Sequence, residues 1–194
     1  MTKIAVLVSG GGTNLQALID AWKKGSLENG ELSLVVSSVA GAFALERAQK
    51  AGIKTITIER KNYKKAEEFD KVLTSVLSEH QINLVVLAGF LSVVGPQTVK
   101  TFKNKIINVH PSLIPSFCGK GFYGTHVHKA ALEYGVKITG ATVHYVNDVI
   151  DGGQIILQKA VDVLVSDTPE TLQQRVMQEA EWVLLPQAVA MICK

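Results

Sequence analysis

The stretch Lys3-Ile4-Ala5-Val6-Leu7-Val8-Ser9-Gly10-Gly11-Gly12-Thr13-Asn14-Leu15-Gln16 decides the architecture. An apolar run passes through three glycines into a helical pattern that reaches Lys24. A run this continuously apolar reads as a strand buried on both faces, which is the setting of a parallel sheet covered by helices. The same alternation continues outward. Further strand-like runs lie at Leu32–Val39, Thr55–Glu59, Ile82–Ala88 and Lys105–His110, separated by helical patterns at Phe43–Ala51, Lys64–Glu79 and a short Gln97–Lys103. The reading is an α/β fold: a mostly parallel twisted sheet with helices on both faces. After it, Ile138–Val146 and Gly153–Leu164 read as longer strands, followed by a helix from Pro169 toward Ile192. On that helix Leu172, Val176, Ala180, Val183, Leu184 and Ala188 recur at three- and four-residue steps and form a core-facing stripe. Asp167 or Thr168 before Pro169 is a good helix start. This gives a C-terminal β-β-α extension.

The chain of 194 residues suits a single domain, 1–194, with an N-terminal half of about 1–104 and a C-terminal half of about 105–194. At 47% hydrophobic it can bury a large core. A net charge of +3, evenly spread, argues against nucleic acid or an anionic membrane as main partner. No apolar run reaches the roughly 18–20 residues of a membrane span. Met1 leads almost directly into the first strand without a signal-peptide pattern, so a cytoplasmic protein is expected. Cys118 and Cys193 form no metal spacing and read as free thiols.

In such a sheet ligands sit beyond the carboxyl ends of the parallel strands. The Ser9–Gln16 loop offers glycine turns, exposed N–H groups and a helix N-terminus, which together favour a phosphate. It is neither a Walker loop nor a complete G-x-G-x-x-G, because Leu15 stands at the third position. The second strand ends Ser37-Ser38-Val39, with no acid for a dinucleotide ribose. A phosphomonoester therefore suits it better than a nicotinamide cofactor. A ligand-free turn capped by Thr13 is the competing reading.

Lys105-Ile106-Ile107-Asn108-Val109-His110-Pro111 ends a strand with two polar groups two residues apart. Period two puts Asn108 and His110 on one face, and Pro111 takes the chain out of the sheet. A carboxamide can donate to an oxyanion and an imidazole can move a proton, as acyl chemistry requires. A satisfied polar pair is the alternative. His126-Val127-His128 could be half a metal site, but i and i+2 do not share a helix face, so no metal is expected. After the next strand, Asp148 or Asp151 could reach His110.

Together these pieces resemble the glycinamide ribonucleotide transformylases of the folate-dependent formyltransferase superfamily, over essentially the whole chain. The resemblance rests on the Ser9–Gln16 loop, Leu87-Ala88-Gly89-Phe90-Leu91 and Asn108-Val109-His110-Pro111-Ser112-Leu113-Ile114-Pro115. Gly140-Ala141-Thr142-Val143-His144-Tyr145-Val146, Asp148 and Asp151-Gly152-Gly153 complete it. It implies a Rossmann-like formyltransferase fold and a catalytic set of Asn108, His110 and Asp148. It further implies that Gly12, Thr13 and Asn14 hold a ribonucleotide phosphate. The folate pocket would be lined by Leu91, Ser92, Val93 and Val94, by Asn108, and by His144, Tyr145, Val146, Asn147 and Asp148. The family's C-terminal Glu-His-x-x-x-Pro is similar to Glu181-Trp182-Val183-Leu184-Leu185-Pro186, which makes Glu181 the acid for the nucleotide; Glu179 competes, and the spacing from Arg175 is one residue longer than in many relatives. The Phe117–Thr125 segment is longer and richer in glycine than in many relatives, and Lys61, Lys64 and Lys65 compete for the basic residue near the folate.

The activity implied is formyl transfer from 10-formyltetrahydrofolate, a cosubstrate, to the amine of glycinamide ribonucleotide, a step of purine synthesis. Neither metal nor nicotinamide is implied. The expected partners are these small molecules, and the chain is expected to be a monomer or homodimer. A 10-formyltetrahydrofolate hydrolase would keep the same triad but deliver water. Methionyl-tRNA formyltransferase adds a tRNA-binding domain for which this length leaves no room. A non-catalytic folate- or nucleotide-binding module would leave the triad idle.

Overall fold

A computed structural model describes residues 1–194. The strands are β1 (Thr2–Val8), β2 (Gly30–Ser37), β3 (Lys54–Thr57), β4 (Leu84–Leu87), β5 (Ile106–His110), β6 (Ile138–Tyr145) and β7 (Ile155–Asp162). They form one sheet in the order β3-β2-β1-β4-β5-β6-β7. β1 to β5 pair in parallel, whereas β6 pairs antiparallel with both β5 and β7. The helices are α1 (Thr13–Lys23), α2 (Phe43–Lys50), α3 (Ala66–Glu79), α4 (Pro96–Thr101), α5 (Thr125–Tyr134), α6 (Pro169–Val176) and α7 (Trp182–Ile192).

Alternate residues of the central strands feed two cores. Ile4, Val6 and Val8 of β1 face a cluster of 28 buried residues that α1, α2, α6 and α7 complete. Ala5 and Leu7 face the other side, where Phe69, Leu73 and Leu77 of α3 close a cluster of 13. Burial on both faces is why β4, the Ile4–Val8 stretch of β1 and the Leu34–Val36 stretch of β2 are wholly aliphatic. β7 lies at the sheet edge and is largely exposed, which matches its mixture of Gln158, Lys159 and Asp162 with apolar residues.

Two expectations change. The C-terminal segment is not one α-helix: a π-helical turn at Met177–Glu181 separates α6 from α7. A π turn accommodates one extra residue within a helix, which accounts for the longer spacing between Arg175 and Glu181. The second long strand is also shorter than expected. Gly153 and Gln154 precede β7, and Gly153 lies so close to the Tyr145 carbonyl that a Cβ there would collide with it.

Candidate active site

The carboxyl ends of β1, β4 and β5 place three loops side by side. Ser9 joins the first two of these to the loop after β2: its hydroxyl accepts the Leu91 N–H at 2.8 Å and lies 2.7 Å from the Ser38 hydroxyl. The glycine loop then enters α1 through Gly12, which sits at φ 70° and ψ 34°. A Cβ on Gly12 would lie 2.6 Å from the Ala44 Cβ, so glycine is required by both conformation and space. Helix α1 has no side-chain cap. The first N–H of α1 with a backbone acceptor is that of Gln16, bonded to the Gly12 carbonyl at 2.9 Å. The Thr13 and Asn14 N–H groups thus stand at the positive end of a helix, where an anion is favoured. The Thr13 hydroxyl meets only the Met177 sulfur, at 3.8 Å. Arg47, not singled out in the sequence, braces the loop: Nε donates to the Gly11 carbonyl at 2.9 Å and Nη1 to Gln16 Oε1 at 3.0 Å.

The π turn brings the C-terminal helix to this loop. Glu181 is buried and accepts a 2.7 Å hydrogen bond from Asn14 Nδ2, while Glu179 is exposed. Burial pushes the Glu181 carboxyl up to about 7, against the opposing pull of the Asn14 hydrogen bond.

On β5 the expected pair is present. Asn108 and His110 share the face opposite Ile107 and Val109, and β6 sets His144 directly across from Asn108. His144 Nδ1 lies 2.8 Å from the Tyr145 carbonyl, an acceptor only, so Nδ1 carries the proton. Nε2 lies 3.2 Å from Asn108 Nδ2 and faces the Asp151 carboxylate. His110 is buried, with Nε2 2.9 Å from the Phe117 carbonyl. Pro111 and the turn after it are pinned by Thr142, opposite His110: its hydroxyl donates to the Ser112 carbonyl at 2.7 Å and accepts the Ile114 N–H at 3.1 Å.

The carboxylate beside His110 belongs to Asp151 and not to Asp148. Asp151 Oδ2 is 3.6 Å from His110 Nδ1, and Oδ1 is 3.7 Å from His144 Nε2 and 3.5 Å from Asn108 Nδ2. Oδ2 also accepts the Gly119 N–H at 2.8 Å. Asp148 is exposed and makes no side-chain hydrogen bond. The physical reason is the turn. Asn147 Oδ1 accepts the Val149 N–H at 2.9 Å, which sends residue 148 outward. The chain then reverses at Asp151, φ 55°, where an aspartate tolerates the left-handed region and points its carboxylate inward. Burial works to raise the Asp151 carboxyl. The neighbouring His144 and His110 and the Gly119 N–H outweigh it and hold the group below its ordinary range.

The segments expected to line a folate pocket flank this cluster in part. Leu91 and Val93 are 66% and 70% exposed, and Val149 and Ile150, 63% and 52%. These are exposed apolar side chains on the loops that follow β4 and β6. Ser92 and Val94 are half-buried; Val94, like Phe90 and Val146, packs onto the smaller core beneath α3. Tyr145, Val146 and Asn147 line a cavity of about 430 Å³ with Asn104, Gly153 and Gln154. His126 is exposed against Tyr123, whereas His128 is fully buried with both ring nitrogens unpaired. Burial, with a smaller contribution from His110, lowers His128 to about 4.

The fold is that of a known family: residues 2–189 match the family described as Formyl transferase, and the chain belongs to that family. Among its relatives, the trifunctional purine biosynthetic protein adenosine-3 of Gallus gallus is 46% identical over 190 residues, 98% of this chain but 18% of that protein. The chloroplastic phosphoribosylglycinamide formyltransferase of Arabidopsis thaliana is 38% identical over 193 residues, 99% of this chain and 65% of that one. The chain therefore spans less than two thirds of the length of these curated relatives. Among solved structures, glycinamide ribonucleotide transformylase 1 from Symbiobacterium toebii superposes with a TM-score of 0.93 at 40% identity, covering 100% of this chain and 88% of that chain. No helix is long and apolar enough to cross a membrane.

Proposed function

We propose that this chain transfers the formyl group of 10-formyltetrahydrofolate to the amine of N1-(5-phosphoribosyl)glycinamide. The products are N-formylglycinamide ribonucleotide and tetrahydrofolate, in purine synthesis. The observation that carries the reading is the convergence of Asn108, His110, His144 and Asp151 at the end of β5, between an anion-binding helix terminus and an exposed apolar rim.

The neutral amine attacks the formyl carbon. A carbon–nitrogen bond forms to the glycinamide, the bond to the folate nitrogen breaks, and one proton passes from the amine to that nitrogen. Asn108 donates through Nδ2 to the oxyanion; the substrate oxygen replaces the long 3.5 Å contact to Asp151, while His144 keeps the amide oriented. His110 is the second donor and relays the proton, its Nε2 exchanging the Phe117 carbonyl for the substrate, with Asp151 beside Nδ1 stabilising the positive charge that develops on the ring. Gly12, Thr13 and Asn14 receive the phosphate, and Glu181 the sugar hydroxyls. The Leu91–Val94 segment and the 144–151 turn accommodate the folate rings, with Val149 and Ile150 taking the place given to Asp148. No step calls for a metal or nicotinamide, and the reading includes a cytoplasmic location.

The test is a spectrophotometric assay with 10-formyl-5,8-dideazafolate as donor, run with and without the nucleotide. Donor turnover only with nucleotide present, lost in His110→Ala, is expected. Donor consumption without any amine would make the chain a hydrolase and overturn the transfer.

A further inference from the structure

A polar row crosses the sheet from the site to its edge. Antiparallel pairing sets His110 of β5 directly across from Thr142 of β6, and Thr142 directly across from Gln158 of β7. Directly opposed residues point to the same face. The three side chains therefore line up on the side away from Val109, Ala141 and Val143, which belong to the larger core. Gln158 stands on an exposed edge strand, where a polar side chain ordinarily meets only water. Its amide instead turns inward. Nε2 donates to the Ile114 carbonyl at 3.1 Å and to Thr142 Oγ1 at 2.9 Å, which uses both amide protons. The Ile114 carbonyl can only accept, so the orientation of the amide is fixed. The Thr142 hydroxyl gives its one proton to the Ser112 carbonyl, and its oxygen accepts from the Ile114 N–H and from Gln158. The Ile114 peptide makes no backbone hydrogen bond. Thr142 at its N–H and Gln158 at its carbonyl supply every hydrogen bond that ties it to the sheet.

We infer that Gln158 is a positioning residue for the reaction: from the sheet edge it holds the Ile114 peptide, and through it the turn that sets the surroundings of His110. The inference rests on the role given to His110 in the proposed function. The turn is braced within itself. Ser112 Oγ donates to the Ser116 carbonyl at 2.6 Å and the Ser116 N–H to the Leu113 carbonyl at 3.0 Å, so residues 112–116 move as a unit. The residues that follow meet the reacting groups. The Phe117 carbonyl lies 2.9 Å from His110 Nε2, and the Gly119 N–H donates to Asp151 Oδ2 at 2.8 Å. A shift of the Ile114 peptide therefore reaches both the imidazole and its carboxylate. Misplacing reacting groups by about 1 Å costs up to about a hundredfold in rate. Gln158, one strand removed from His110, acts by preventing part of that displacement.

The experiment compares Gln158→Glu, Gln158→Ala and Lys159→Ala with the wild type. Glutamate keeps the size of the side chain, but its carboxylate cannot donate, and the Thr142 proton is already committed to Ser112. Lys159 is the exposed neighbour on the opposite face of β7 and serves as the control. Steady-state formyl transfer gives kcat and KM. NMR without substrates records the His110 ring resonances, identified by their loss in His110→Ala. Both Gln158 variants are expected to lower kcat about tenfold, with the nucleotide and folate KM within about twofold, and to shift the His110 resonances. Lys159→Ala should leave each readout at its wild-type value. If Gln158→Ala does not fold, the isosteric Gln158→Glu carries the comparison. Unchanged kcat in Gln158→Glu, KM values that rise while kcat holds, or His110 resonances that stay in place would overturn the inference. So would a matching loss in Lys159→Ala, which would assign the effect to β7 as a whole. A wild type without formyl transfer would overturn the proposed function, while shifted His110 resonances in the Gln158 variants would still sustain the brace. Intact transfer with Gln158 variants indistinguishable from wild type would do the reverse.

Discussion

Asp151 Oδ2 lies 3.6 Å from His110 Nδ1 and also accepts the Gly119 N–H, so one carboxylate ties the end of β5 to the glycine-rich segment after it. His110 Nε2 faces the same segment, at the Phe117 carbonyl. The imidazole is thereby held between the Asp151 carboxylate on one side and the Phe117 carbonyl on the other.

That arrangement leaves Asn108 with only long side-chain contacts, 3.2 Å to His144 Nε2 and 3.5 Å to Asp151 Oδ1. Asn108→Ala is expected to lower kcat by about 10²–10³, with the melting temperature within a few degrees of wild type. A matching loss of folded protein would place the residue in the scaffold instead.

Gly12 combines φ 70° with a would-be Cβ 2.6 Å from the Ala44 Cβ. Gly12→Ala should destabilise the chain by about 2–4 kcal/mol and raise the nucleotide KM more than the folate KM. Chemical denaturation and steady-state kinetics measure the two effects, and equal changes in both KM values would count against a phosphate cradle.

Glu181 carries a pH signature. Its folded value of about 7 lies above the ordinary 4.5, chiefly through burial. Between these values the folded chain holds a proton that the unfolded chain has lost, so stability is full below about pH 4.5 and falls as pH rises toward and through about 7. Glu181→Gln should remove this component, on the order of 3 kcal/mol between pH 4.5 and 8. Parallel stability–pH curves for the two chains would contradict it.

Asp70 is 3% exposed and accepts the N–H groups of Gln97 and Thr98 at 2.8 and 3.2 Å, capping α4 just beyond the Leu91–Val94 segment. Asp70→Ala should cost about 1–3 kcal/mol and raise the folate KM, since the segment loses its anchor. An unchanged folate KM would show that the segment holds its shape without α4.

Much of this was legible in the sequence, for identifiable reasons. The aliphatic runs of β1, β4 and β5 admit little but buried strands, and period two alone put Asn108 and His110 on one face. The choice between Asp148 and Asp151 was not legible. It depends on an Asx turn at Asn147 and a left-handed Asp151, neither of which spacing encodes. The π turn escaped because the apolar stripe through Val176, Ala180 and Leu184 stays continuous across it. Ser9 and Arg47 brace loops that only the folded sheet brings together. Val149 and Ile150 read as ordinary loop residues until their exposure beside the site is seen.

The measurement that bears most directly on the site is nucleotide-dependent formyl transfer by Asp151→Asn and Asp148→Asn, side by side. Asp151→Asn should lose about 10²–10⁴ in kcat, with Asp148→Asn within about threefold of wild type. Loss in Asp148→Asn with Asp151→Asn near wild type would contradict the account.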